Sequence, residues 1–137
     1  MINSFLKIWR AKRNIFILLL LAFLYISCSP NKPSSNISEF YNYPNPFAPA
    51  KEYTIYKVSI NSGKIIDAKL EIYSQSGDLM DTKTLTNVLP NETTAACIWS
   101  GLDKNGKYLP SGIYDAKVTV KDNQDSTFVA EVKTSIR

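Results

Sequence analysis

Few side chains in this sequence are suited to acid–base or covalent chemistry. Histidine is absent, which removes imidazole general bases, Ser-His and Cys-His nucleophile pairs, and histidine metal ligands. The two cysteines, Cys28 and Cys97, have different settings. Cys28 follows an apolar run and precedes the polar tract SPNKPSSN. A thiol at the end of an export signal is well placed for alkylation by lipid. Cys97 lies in TTAACIWSG and shares strand parity with Ala95 and Trp99. It is expected to point into a core as a small hydrophobe, with an intermolecular or reactive thiol as the alternative. If Cys28 carries lipid, no disulfide can form within one mature chain.

The remaining candidate groups read as turn chemistry. DKNG at 103–106 matches the opening of a calcium loop, but it has no third early ligand and no glutamate at the twelfth position. Asp122 and Asp125 in DNQD are read as turn formers and solubilisers, and the five glycines are all assigned to β-turns. NIS at 36–38 and NET at 91–93 match a glycosylation sequon. Tyr73 and Tyr108 are candidates for exposed aromatics, which keeps a sugar or peptide platform open. The expectation is a non-enzymatic protein with no cofactor and no metal site.

The elements around these residues begin with a leader. Residues 1–27 contain Lys7, Arg10, Lys12 and Arg13, no acid, and the apolar run IFILLLLAFLYI. That run is shorter than the about 20 residues a spanning helix needs, and a basic stretch before a short apolar one has the form of a secretory signal. Leu24-Tyr25-Ile26-Ser27-Cys28 resembles the lipobox of bacterial lipoproteins, with Tyr25 departing from the usual leucine. The resemblance implies lipidation at Cys28 and attachment to a bacterial membrane; an ordinary signal peptide and an uncleaved short anchor are the alternatives. The chain has 16 basic and 12 acidic side chains, and without the leader's four basic groups the two signs balance at 12 each. The net positive charge thus belongs to the leader and gives no indication of nucleic-acid binding.

The expected organisation is a signal peptide at 1–27, the lipidated Cys28 with a flexible linker over 28–39, and one β-sandwich over 40–137. Apolar residues alternate from Thr54 onward, the period of half-buried strands. The inward sets are Thr54, Tyr56, Val58 and Ile60; Ile66, Ala68, Leu70 and Ile72; Ala95, Cys97 and Trp99; Tyr114, Ala116, Val118 and Val120; and Phe128, Ala130, Val132 and Ile136. LMDTKTL reads as a weaker strand with no assignable face, and TNVLPNE as a loose connection. Six strands and an extended leading edge predict an all-β, antiparallel sandwich of about seven strands, immunoglobulin- or fibronectin-like in topology.

The leading edge, EFYNYPNPFAPAKEY, interleaves prolines with aromatics. Pro44 and Pro46 cannot donate to a ladder, which suits the segment to a sheet edge. Tyr43 and Phe47 are expected to insert into the end of the sandwich. Taken in order, YPNPF at 43–47, LEIYSQSGDLM at 70–80 and WSGLDKNGKYLPSGIYDAKV at 99–118 resemble the immunoglobulin-like module of flagellar hook-capping proteins. They are also similar to the C-terminal sorting domains of type IX secretion cargo. The resemblance implies fold-defining roles for Tyr43, Pro44, Asn45, Pro46, Phe47, Trp99, Gly101, Asp103, Gly106, Gly112 and Tyr114. Gly112 in particular is expected to adopt a conformation closed to other residues. Cys97 replaces an ordinary apolar residue of that pattern, and the ending KTSIR is not the strongly basic one common in sorting domains. The expected function is a lipid-anchored structural or protein-interaction module of the bacterial cell envelope, with an unidentified envelope protein as partner. A type IX sorting domain, or a peptide- or glycan-binding module, is the alternative.

Overall fold

The computed structural model describes residues 36–88 and 91–137; the expected signal segment, Cys28 and the expected linker up to residue 35 lie outside the described residues. Eight strands follow in order: β1 (Ile37–Tyr43), β2 (Thr54–Ile60), β3 (Ile65–Tyr73), β4 (Leu79–Thr84), β5 (Thr86–Val88), β6 (Asn91–Trp99), β7 (Gly112–Asp122) and β8 (Thr127–Ile136). They form two four-stranded antiparallel sheets, ordered β1-β2-β6-β5 and β4-β3-β7-β8. The described residues contain no helix. Pairing starts at Ile37, inside the segment read as linker, because Asn36 is anchored by hydrogen bonds with Asn61 and Ser62.

Alternation settles most of the packing. Thr54, Tyr56, Val58 and Ile60 of β2 are buried, as are Tyr114, Ala116, Val118 and Val120 of β7. The largest fully buried side chains are Trp99, Tyr56, Phe47 and Leu70; each such burial contributes roughly 1.5–3 kcal/mol. Two buried side-chain hydrogen bonds join the sheets, from Trp99 Nε1–H to Asp81 Oδ2 and between the hydroxyls of Tyr56 and Thr134. A buried hydroxyl needs such a partner, and burial raises the Tyr56 pKa above the ordinary phenol range.

Several expectations are corrected. Ile66 is not inward but 59% exposed, and Ile65 is the buried residue. A bulge between Ile65 and Asp67 opposes an extra residue to β7, and one extra residue exchanges the two faces. The loose connection contains β5 and the first residues of β6. Before it, Leu85 is buried and its N–H donates to Ala68 O at 2.8 Å, where the chain passes from one sheet to the other. Phe128, Ala130 and Val132 are half-buried, because β8 is an edge strand. Asp122 is buried rather than solubilising; its carboxylate accepts from the N–H groups of Gln124 and Ser126 at 2.9 Å.

Gly112 is not a position where glycine is required. Gly112 opens β7 without a positive φ, and an added Cβ would come no nearer than 3.8 Å to Tyr114. Gly101 has φ +77°, and an added Cβ would lie 2.6 Å from Pro49 Cγ. Combining left-handed strain with overpacking, Gly101→Ala is expected to destabilise the domain by about 2–4 kcal/mol. Gly112→Ala should change stability by less than about 1 kcal/mol. Urea unfolding midpoints at unchanged slope report both effects.

Candidate functional site

The residues of the three sequence signatures gather at the end of the sandwich where β1 and β6 finish and β7 begins. Tyr43–Pro44 and Asn45–Pro46 are both cis peptide bonds, so the chain turns sharply after β1 rather than continuing as an extended strip. It crosses from the edge of the first sheet to the edge of the second. Asn45 there acts as a short piece of strand made from a side chain. Its amide donates to Lys133 O at 2.8 Å, while its Oδ1 accepts from Ser135 N at 2.9 Å. Asn42 and Thr54 extend this network, with Asn42 Nδ2 donating to Thr54 Oγ1 and Thr54 Oγ1 donating to Pro44 O.

Two residues on, Phe47 continues the pairing with its own backbone. Its N–H donates to Ser135 O at 3.1 Å and its carbonyl accepts from Arg137 N at 3.0 Å. The Phe47 ring is fully buried, 5.6 Å from the Trp99 ring in an edge-on arrangement, the geometry aromatic quadrupoles favour. Glu52 closes the turn by accepting from Ala48 N and Arg137. Those bonds, the backbone one foremost, hold its carboxyl below the ordinary range.

Trp99 links the strap to the long loop. Its Nε1–H reaches both Asp81 Oδ2 and Leu102 O at 3.1 Å. Asp81 is buried, accepts also from Thr82 N, and pairs with Lys83 at 3.0 Å. Asp103 caps the loop through its Oδ1, which accepts from Asn105 N at 2.8 Å and Lys107 N at 2.9 Å. The Lys107 amide is the main cause of its lowered pKa. Gly106 lies at the tip of this turn, and Leu109 N donates to Gly101 O. Tyr114, buried, donates from its hydroxyl to Pro110 O at 2.9 Å, tying the loop to the first residues of β7.

The surface chemistry lies on the outer face of the first sheet. The register aligns Tyr43, Ile55 and Ile98 across β1, β2 and β6 in one row, with Tyr41, Lys57 and Ala96 in the next. Tyr43 does not insert into the sandwich: it is 73% exposed, and Ile98 beside it is 58% exposed. The reason is parity, since inward Asn42 precedes Tyr43 on β1. Tyr53 is also exposed, just before β2. Lys57 lies 5.9 Å from the centre of the Tyr41 ring, within range of a cation–π attraction. The opposite sheet presents a charged outer face, including ion pairs Lys69–Glu71 at 2.8 Å and Asp115–Lys133 at 2.7 Å. Of the aromatics considered for a platform, Tyr108 is exposed and Tyr73 half-buried. Alternation carries the signal for the apolar row, since Tyr41, Tyr43, Ile55 and Ile98 all occupy outward positions.

Cys97 is half-buried and packed against the core. Burial pushes its thiol up to about 11, with Lys83 pulling weakly the other way. Among the described residues no group of three or more Cys, Asp or Glu side chains is arranged to hold a metal ion.

No family model matches the chain, and no curated protein matches it. Solved structures do resemble it. One is the crystal structure of CopC from Methylosinus trichosporium OB3b, at TM-score 0.51 and 14% identity, covering 74% of this chain and 92% of that one. Another is dimeric latent PorU from Porphyromonas gingivalis, at TM-score 0.57 and 18% identity, covering 71% of this chain but only 9% of that one. At such identities the likeness is one of fold, an all-β sandwich.

Asn45→Ala is expected to cost about 1–2 kcal/mol through the bonds to β8. It should also accelerate hydrogen exchange at the Ser135 amide. In a Cys28→Ser background, iodoacetamide labelling of folded Cys97 should be slow at neutral pH and rise up to about pH 11. Unfolded chain should label with an ordinary thiol profile. Equal labelling profiles in the two states would contradict the burial of Cys97.

Proposed function

We infer that this chain is a lipid-anchored, non-enzymatic protein of the bacterial cell envelope whose sandwich serves as a protein-interaction module. The observation that carries the interaction role is the apolar row Tyr43, Ile55 and Ile98 exposed on one sheet face, opposite a face laced with ion pairs. A grouped apolar surface of this kind marks a contact site more often than scattered exposed residues do. The anchor is supported by the lipobox-like Leu24–Cys28 behind a basic, apolar leader. The non-enzymatic character is supported by the lack of histidine in the sequence and by a signature cluster whose polar groups are engaged in holding the fold together.

A second reading is a type IX sorting domain. It is favoured by the way YPNPF clamps the last strand through Asn45 and Phe47, and the fold likeness to a small part of PorU agrees with it. Intact-mass spectrometry of protein extracted from the native membrane fraction separates the readings. The expected species begins at an acylated Cys28 and ends at Arg137. A mass without acyl chains overturns the anchor, and loss of the C-terminal region as well moves the sorting reading to first place.

A further inference from the structure

The four sheet edges are not treated alike. β5 spans only three residues. β4 carries the inward-facing Asp81 and its partner Lys83, and an inward charge discourages an added strand. β8 bears Glu131 and Lys133, and Asn45 and Phe47 occupy its final residues. β1 has none of these devices. It spans seven residues, ISEFYNY, with one charge, Glu39, and no proline within the strand. β2 pairs with one side of it, and among the described residues no strand pairs with the other.

This open edge adjoins the exposed apolar row. Tyr41 and Tyr43 project outward from β1 itself, so side chains of an added strand would lie beside them, about 5 Å away across the ladder. The cation there is unpaired. Lys57 lies over Tyr41 and makes no ion pair among the described residues. The one acid on this face of β1, Glu39, sits opposite Ser59, away from the tyrosine end.

We propose that the free edge of β1 is a strand-addition site for an extended, net-acidic segment of a partner protein. The segment's alternate apolar side chains pack beside Tyr41 and Tyr43, and its acidic groups answer Lys57. Backbone hydrogen bonds supply the pairing, and the tyrosine row selects the side chains. This deepens the interaction-module reading and rests on it, but not on the lipid anchor.

The test is to pan a random peptide display library on the intact purified protein. Enriched peptides are expected to alternate apolar residues and to be net acidic. They should bind at least about tenfold more weakly to Tyr43→Lys and Lys57→Glu, and equally well to Val129→Lys on the other sheet's outer face. All three substitutions lie outside the core, so unchanged melting temperatures verify folding. Hydrogen exchange should show new protection at β1 amides when peptide is bound. Peptides that enrich but protect another surface overturn strand addition while leaving the interaction-module reading intact. Basic or non-alternating peptides, or no enrichment, also overturn it. So does a β1 edge occupied instead by a second copy, seen as dimerisation lost in Tyr43→Lys. Sedimentation with phosphatidylglycerol vesicles that is lost in the same variant would assign the face to lipid and equally overturn the proposal.

Discussion

The placement of Phe47 is the constraint on which this end of the molecule depends. Its ring fills the space beside Trp99 while its backbone pairs with Ser135 and Arg137. One residue therefore contributes to the core and to the edge of the second sheet at once. The chain reaches that position by turning after Tyr43, and Asn45 supplies by side chain the hydrogen bonds that strand pairing would otherwise supply. Close approach at Gly101 completes the arrangement, since Pro49 and the Phe47 ring leave no room there for a Cβ. Strap, tryptophan and long loop thus form one packed unit.

The two long seams of the sandwich are each crossed by the chain. On one side Phe47 passes from the first sheet to the second, and on the other Leu85 passes back between β4 and β5. A sandwich joined this way keeps its sheets in fixed relation, and the buried Tyr56–Thr134 bond adds a polar pin through the middle. Such a frame suits a rigid presenting surface. The outer face of β1, β2 and β6 exposes the row Tyr43, Ile55 and Ile98, while the opposite sheet carries the ion pairs Lys69–Glu71 and Asp115–Lys133.

Much of the fold was legible because period-two alternation is a local consequence of strand geometry. β2 and β7 follow the expected parity at every inward position, and Trp99 lies in the core as its neighbours imply. The misreadings of Ile66 and of the loose connection share a cause, which is dependence on a partner distant in sequence. Ile66 faces out because of a bulge against β7, and β5 is a strand only because β6 lies beside it. Asp81 is tolerated inside because Trp99, Thr82 and Lys83 satisfy it. None of these is visible in a short window.

By itself, the sequence determined an all-β sandwich, the core positions of Phe47, Tyr56, Trp99 and Tyr114, and the absence of histidine chemistry. Composition, parity and turn residues act locally, and local rules suffice for those features. Only the tertiary structure decided that Asn45 substitutes for a strand, that Gly101 rather than Gly112 is packed too closely for a side chain, and that Tyr43 stays in solvent. It also decided which outward residues become neighbours. Tyr43, Ile55 and Ile98 are far apart along the chain and form one row solely through the register of three strands. Register is fixed by long-range pairing and core packing rather than by nearest neighbours.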